Sequence, residues 1–140
     1  MAKGFWLVKS EPSVYPWERF VKEKRTLWDG VRSFEARNNL RAMKKGDAVL
    51  FYHSNEGKEV VGLASVSAEA TPEKTSDEGE WSVVELAAKK TLTKPVTLAQ
   101  IKAEKKLAGF GLVKKSRLSV VPASAAEFEL ILALSATKPE

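Results

Sequence analysis

The chain has 140 residues, 44% hydrophobic and 29% charged, with no cysteine and a formal net charge of +5. That length supports one compact domain with a real core and leaves no comfortable room for two, and the missing cysteines exclude disulfides, thiolate nucleophiles and cysteine zinc ligands. No apolar run approaches the length of a bilayer span, and Lys3 and Lys9 interrupt the amino terminus before a signal-like stretch develops, so the expected location is the cytoplasm, or the nucleus of a eukaryote, with no membrane attachment.

Taken in chain order, Phe5-Trp6-Leu7-Val8 reads as a short buried strand that opens into a loop at Lys9-Ser10-Glu11-Pro12, because proline cannot continue a central strand. Pro16 suits a first helical position, and Trp17, Phe20 and Val21 are spaced for a helix to about Lys24. A second helix is predicted after Ser33, burying Ala36, Leu40 and Met43 and broken by Lys45-Gly46-Asp47. Ala48 to Tyr52 and Val60 to Ala70 form a hairpin around the turn Glu56-Gly57-Lys58. Thr71 to Glu80, with Pro72, Gly79 and small polar residues, marks an exposed loop. A strand resumes from Trp81 to Lys90, and Thr97-Leu98-Ala99-Gln100 has capping-box spacing for a helix through about Lys106. Leu118-Ser119-Val120-Val121 gives a last strand, and a second capping box, Ser124-Ala125-Ala126-Glu127, opens a helix with Phe128, Leu130, Ile131 and Leu134 on its apolar face. There is no internal repeat. Strands interleaved with short helices, without regular βαβ alternation, predict an α+β domain on a mixed or barrel-like sheet.

Charge is distributed unevenly. Between Lys89 and Arg117 lie nine basic residues (Lys89, Lys90, Lys94, Lys102, Lys105, Lys106, Lys114, Lys115 and Arg117) against Glu104 alone, so this segment carries +8 and the remainder +5 − 8 = −3. A second basic stretch runs from Arg19 to Lys45. If the two meet on one face they make a footprint for phosphates, although each lysine singly also fits a solvated helix or loop.

The span from Trp28 to Ser54 concentrates an aromatic plate, fixed cations and amides, the residue types that hold a base extruded from nucleic acid. Trp28 sits in a polar context beside Gly30, where a core tryptophan would have apolar neighbours; as a stacking wall it supplies about 1–3 kcal/mol per base. Asp29 either turns the chain or accepts from the ligand. Lys9, Ser10 and Glu11 fall where the first strand leaves the sheet and can face a cavity, or equally form a salt bridge and a turn. Arg32, Arg37 and Asn38 lie at or near a helix start, suited to gripping a phosphate or meeting a base edge. Arg41, one helical turn after Arg37, fits a solvated face and is left out. Tyr52 and Ser54 share one face of an alternating strand and His53 takes the other; a hydrogen-bonded structural histidine is the plainer reading of His53. Ser116 and Arg117 precede the last strand, where Arg117 can touch a phosphate or brace the pocket through a carboxylate. Trp6, Trp17 and Phe51 fit the core.

Five segments in order, Trp6-Leu7-Val8-Lys9-Ser10-Glu11-Pro12, Trp28-Asp29-Gly30-Val31-Arg32, Ala36-Arg37-Asn38, Phe51-Tyr52-His53-Ser54 and Ser116-Arg117-Leu118-Ser119-Val120, together resemble the EVE domain across nearly the whole chain. The resemblance implies a PUA-like pseudo-barrel flanked by helices and kinship with YTH domains, which read methylated adenine in RNA. It also likens Trp28 to the cage tryptophan of those domains. EVE domains commonly carry a longer, tyrosine-containing segment before the strand that begins here at Trp81, so the cage of this chain is expected to be open on one side or to use Trp81 as a substitute plate.

Catalysis is the competing class. Asp29 with Glu11 or Glu35 could pair as acid and base, but His53 is the sole conventional partner for a nucleophile, and the chain has neither a Gly-rich phosphate loop nor a dinucleotide fingerprint. Zinc needs three or four ligands, so no metal, cofactor or catalytic residue is expected. The expected activity is that of a monomeric, non-catalytic module binding DNA or RNA that carries a modified base, methylated by the resemblance. A generic RNA-binding module without that preference and a small hydrolase are the alternatives.

Overall fold

The computed structural model describes residues 4–28, 33–72, 82–115 and 117–137. Its elements run β1 (Phe5–Ser10), α1 (Trp17–Glu23), β2 (Arg25–Trp28), α2 (Phe34–Ala42), β3 (Ala48–His53), β4 (Glu59–Pro72), β5 (Ser82–Thr97), α3 (Leu98–Ala103), a 3-10 turn (Lys105–Leu107), α4 (Gly111–Lys114), β6 (Val120–Ala123) and α5 (Ala125–Leu134). The six strands form one mixed sheet in the order β2-β5-β4-β3-β1-β6, in which β1 runs parallel to β3 and antiparallel to β6.

Local chemistry accounts for most boundaries. Ser33 accepts from the Ala36 N–H to start α2, and both expected capping boxes form, Thr97 with Gln100 and Ser124 with Glu127. Asn55 and Gly57 take positive φ of 65° and 80° to close the β3–β4 hairpin. Several boundaries differ from the sequence reading. β1 does not leave the sheet at Lys9, because its parallel ladder with β3 continues to Ser10 opposite His53. β2, a four-residue edge strand directly after α1, lacks an apolar alternation strong enough to announce it. β5 runs past Lys90 to Thr97, and the helix expected to reach Lys106 stops at Ala103, then resumes as the 3-10 turn. Finally, α4 was not anticipated, and the last strand begins at Val120 instead of Leu118.

The sheet is strongly curled. Trp28 on β2 and Phe51 on β3 have ring centroids 5.6 Å apart, although β5 and β4 lie between their strands and a flat sheet would separate them by about 14 Å. Edges β2 and β6 are not hydrogen-bonded to each other, so the expected pseudo-barrel is open along one seam. Helix α2 spans that seam, packing against β4, β5 and β6. Its Asn39 Nδ2 donates to the Val120 carbonyl (2.7 Å) and its Arg41 Nε to the Ser82 hydroxyl (2.8 Å).

Strand alternation and the β1–β3 register then assign faces. Trp6, Val8 and Ser10 share the concave face with Val49, Phe51 and His53, while Phe5, Leu7 and Lys9 share the convex face with Ala48, Leu50 and Tyr52. α4 and α5 cover the convex face: the Phe5 and Phe128 rings lie 4.6 Å apart, and a Cβ on Gly111 would come within 2.6 Å of Val121. On the concave side Trp17 lies directly on Gly62, where any Cβ would sit 2.3 Å from the indole. Trp6, Trp17 and Phe51 are buried, as expected. The far end is tied by Asp47, whose carboxylate accepts from Gly4 N, Trp6 Nε1 and Lys44 N, each at 2.9 Å.

Candidate nucleic-acid interface

One mouth of the curled sheet is lined with aromatic rings. Trp17, Phe20 and Phe51 form its buried floor, with centroid separations of 5.2 to 5.6 Å. Trp28 and Tyr15, both half-buried, form its rim. The Trp28 indole meets Phe51 at 82° and Tyr15 at 75°, with centroids 5.6 and 6.3 Å apart. Perpendicular contacts therefore fix its plane, and no ring among the described residues lies flat on it.

Polar atoms hold this rim in place. Trp17 N, at the first turn of α1, donates to His53 Nε2 (3.0 Å), a distant side chain doing what an N-cap would do, since Pro16 offers no side-chain cap. Burial pushes the His53 imidazole below its ordinary pKa, outweighing the pull of Glu59 and Glu18. The Nε2 lone pair is thus committed to the backbone. Trp17 Nε1 donates to Thr91 Oγ1 (2.9 Å). Ser10 Oγ donates to the Tyr15 carbonyl (2.6 Å), and the Tyr15 hydroxyl donates to Glu23 (2.6 Å), beneath the Arg19 guanidinium. Burial, then the Glu23 carboxylate, raises the Tyr15 phenol; the Tyr15 hydrogen bond, then that of Arg19, lowers Glu23.

The residues expected from sequence divide by strand face. Ser10 and Trp28 are brought together through Tyr15, and the half-buried Ser54 joins them by donating its N–H to the Ser10 carbonyl (2.9 Å). Glu11 is exposed beside them, its carbonyl accepting from Val14 N and Tyr15 N. Lys9 and Tyr52 go elsewhere: they are register partners on the convex face, where burial lowers the Lys9 ammonium and raises the Tyr52 phenol. The expectation that Lys9 and Tyr52 face the same cavity as Ser10 and Trp28 fails because β1 stays in the sheet, so successive side chains keep alternating. Arg37 and Asn38 lie on the outer side of α2, where Asn38 Oδ1 accepts from Arg37 Nε and Nη2 (3.3 and 3.1 Å) and the Arg37 guanidinium covers the Phe34 ring (4.9 Å). Arg117 is exposed before β6. Thr71 and Pro72, expected to open an exposed loop, instead extend β4, opposite Val83 and Ser82 of β5; Asp29, Arg32, Ser116 and the rest of the expected 71–80 loop, with Trp81, lie outside the described residues.

Sequence reading missed Tyr15 as a rim ring and Arg41 as a seam brace. The signal for Tyr15 was present: an aromatic residue in a polar loop immediately before the proline that starts a helix. A separate cleft of about 520 Å³, walled by Phe5, Ala48, Leu63 and Phe128 with Lys89 and Lys90 beside it, opens under α5 on the convex side, away from the Trp28 rim. Among the described residues no group of His, Asp or Glu is placed to hold a metal ion, and no helix is long and apolar enough to cross a membrane.

The chain is similar to known proteins along most of its length. The EVE domain pattern matches residues 4–134. Thymocyte nuclear protein 1 of Mus musculus is 33% identical over 171 aligned residues, covering 97% of this chain and 75% of that protein. A protein of Rhodopseudomonas palustris, solved by NMR, is 45% identical with a TM-score of 0.91, covering 95% of this chain and 93% of its own. The crystal structure of human THYN1 protein in complex with 5-methylcytosine-containing DNA superposes with a TM-score of 0.86 at 30% identity, covering 98% and 100%.

Proposed function

The chain belongs to the EVE domain family, and from that premise we propose that it is a non-catalytic binding module that takes a modified base of a nucleic acid strand against the Trp28 indole. The observation that carries this reading is the state of that ring: half-buried at the mouth of the concave face and held edgewise by Tyr15 and Phe51, with no ring among the described residues lying flat on it. A heterocycle lying on an indole gains about 1–3 kcal/mol regardless of its identity, so the plate holds a base in the pocket and the polar rim, which meets only a base so held, sorts it. Ser10, Glu11 and Ser54, linked to Tyr15 and to one another by hydrogen bonds, and Asp29, which follows Trp28 in sequence, are assigned to that rim. Arg32, Arg37, Asn38, Ser116 and Arg117 are assigned to phosphates and base edges. Lys9 and Tyr52, on the other face, are assigned no contact with the base.

The bound modification is a methylated base, and 5-methylcytosine is the first to test, since human THYN1 was crystallised with DNA containing it. The commitment of the His53 lone pair to Trp17 N argues against a hydrolase that uses His53 as its general base. The test is a titration with two single-stranded DNA oligonucleotides identical except for one cytosine or 5-methylcytosine, repeated with the RNA pair. Tighter binding of a methylated strand is expected. Equal affinity across both pairs would replace this reading with a generic nucleic-acid binder.

A further inference from the structure

Two consecutive lysines of β5 line one cleft because the strand carries a bulge between them and the preceding residues. The β4 neighbours Leu63 and Ala64 face Lys90 and Ala88, so Lys89 is the extra residue of β5 and has no register partner. In a regular strand Lys89 and Lys90 would project to opposite faces. At the bulge both line the cleft of about 520 Å³ under α5, and re-aiming a side chain toward a site is a recurrent use of bulges. The body of the cleft is apolar and of the size that takes a small ligand. Phe5 and Phe128 wall it, with rings 4.6 Å apart and tilted by 34°, and Leu63 lies beside them. Small residues keep it open: Ala48 and Ser65 line it, and a Cβ on Gly46 would meet nothing within 4 Å. Glu129 of α5 is the third charged lining residue, so Lys89, Lys90 and Glu129 together carry +2 − 1 = +1.

We propose that this cleft is a second ligand site, for a small molecule with an apolar body and a single carboxylate. The body lies against Phe5, Phe128 and Leu63, and the carboxylate meets the ammonium groups of Lys89 and Lys90 on the β5 side. A monoanion balances the residual +1 of the lining, whereas a dianion such as a phosphate monoester exceeds it and is repelled by Glu129. A ligand of the same shape without charge gains the apolar contacts alone. No residue lining the cleft belongs to the Trp28 rim, so the site is independent of the one that takes a base.

The experiment follows the backbone amide signals of the full chain by NMR during titration with phenylbutyrate, phenylbutanol and phenylbutylamine, which share one apolar body and differ in the head group. Saturable shifts at Ala48, Ser65 and Lys89 are expected with the carboxylate, with affinity lower by about fivefold for the alcohol and lower again for the amine, the scale of a charge pair near the surface. Lys89→Gln should cut the advantage of the carboxylate over the alcohol, and the double variant Lys89→Gln, Lys90→Gln should abolish it, while the affinity of the alcohol stays unchanged in both. Ser65→Leu, which fills the cleft, should remove binding of all three probes. Lys89 is exposed, so the charge variants carry the test even where Ser65→Leu does not fold. Equal affinity for the carboxylate and the alcohol, an advantage that survives the double variant, shifts confined to residues outside the cleft, or no saturable shift with any probe overturns the proposal.

Discussion

The two faces of one curled sheet have been put to different uses, and the residue types on each tell why. The convex face packs beneath α4 and α5 through contacts of shape, Phe5 on Phe128 and Gly111 close against Val121, and keeps a cleft under α5. The concave face carries rings, and each buried polar atom on those rings has a named partner: Trp6 Nε1 on Asp47, Trp17 Nε1 on Thr91, His53 Nε2 on the α1 backbone. Rings tolerate partial exposure when a polar edge anchors them.

That contrast can be broken most severely at Gly62. A Gly62→Ala substitution drives a methyl into the Trp17 indole, and the ring cannot retreat without losing Thr91. Overpacking of this kind costs about 3 kcal/mol, which should lower the melting temperature on the order of 10 °C; a shift under about 2 °C by calorimetry would mean that the floor is softer than its contacts suggest.

A smaller effect sharpens the polar half of the comparison. The folded-state pKa of His53 is depressed relative to the unfolded chain, so the unfolded state binds more protons in the window below the ordinary value near 6.5. Its contribution to stability is complete above that value and is lost as pH falls through the lower folded pKa. Protonation also removes the acceptor for Trp17 N, worth about 1 kcal/mol as a helix cap. Thermal melts between pH 7.5 and 5 should therefore show wild type losing stability toward acid relative to His53→Gln, which keeps an acceptor and does not titrate. Parallel curves for the two proteins would show that the imidazole does not hold α1.

Much of this was legible in the sequence, and the reasons are local. Capping boxes at Thr97 and Ser124, the Ser33 cap and the turn at Gly57 are short-range chemistry, and each appeared where its residues predicted. The five segments that resemble the EVE domain led to the right family. What sequence could not supply was curvature. Nothing in Arg25-Thr26-Leu27-Trp28 announces an edge strand whose final indole crosses the sheet to meet Phe51. The site reading suffered most where strand length decides a face: ending the first strand at Val8, with a loop from Lys9, let Lys9 share a cavity with Ser10, whereas β1 runs to Ser10 and keeps the two on opposite faces; the reading of His53 as a hydrogen-bonded structural residue agrees with its bond from Trp17 N.

The central claim is that the Trp28 ring receives the base while the opposite face of the sheet does not. The direct measurement is the ratio of affinities for methylated and unmethylated strands in Trp28→Ala and in Tyr52→Phe, each checked for a cooperative melt. The account predicts that Trp28→Ala folds, loses roughly 5- to 150-fold in affinity for the methylated strand, the equivalent of about 1–3 kcal/mol, and binds both strands alike, whereas Tyr52→Phe keeps the wild-type ratio. An unchanged ratio in folded Trp28→Ala, or its loss in Tyr52→Phe alone, would contradict it.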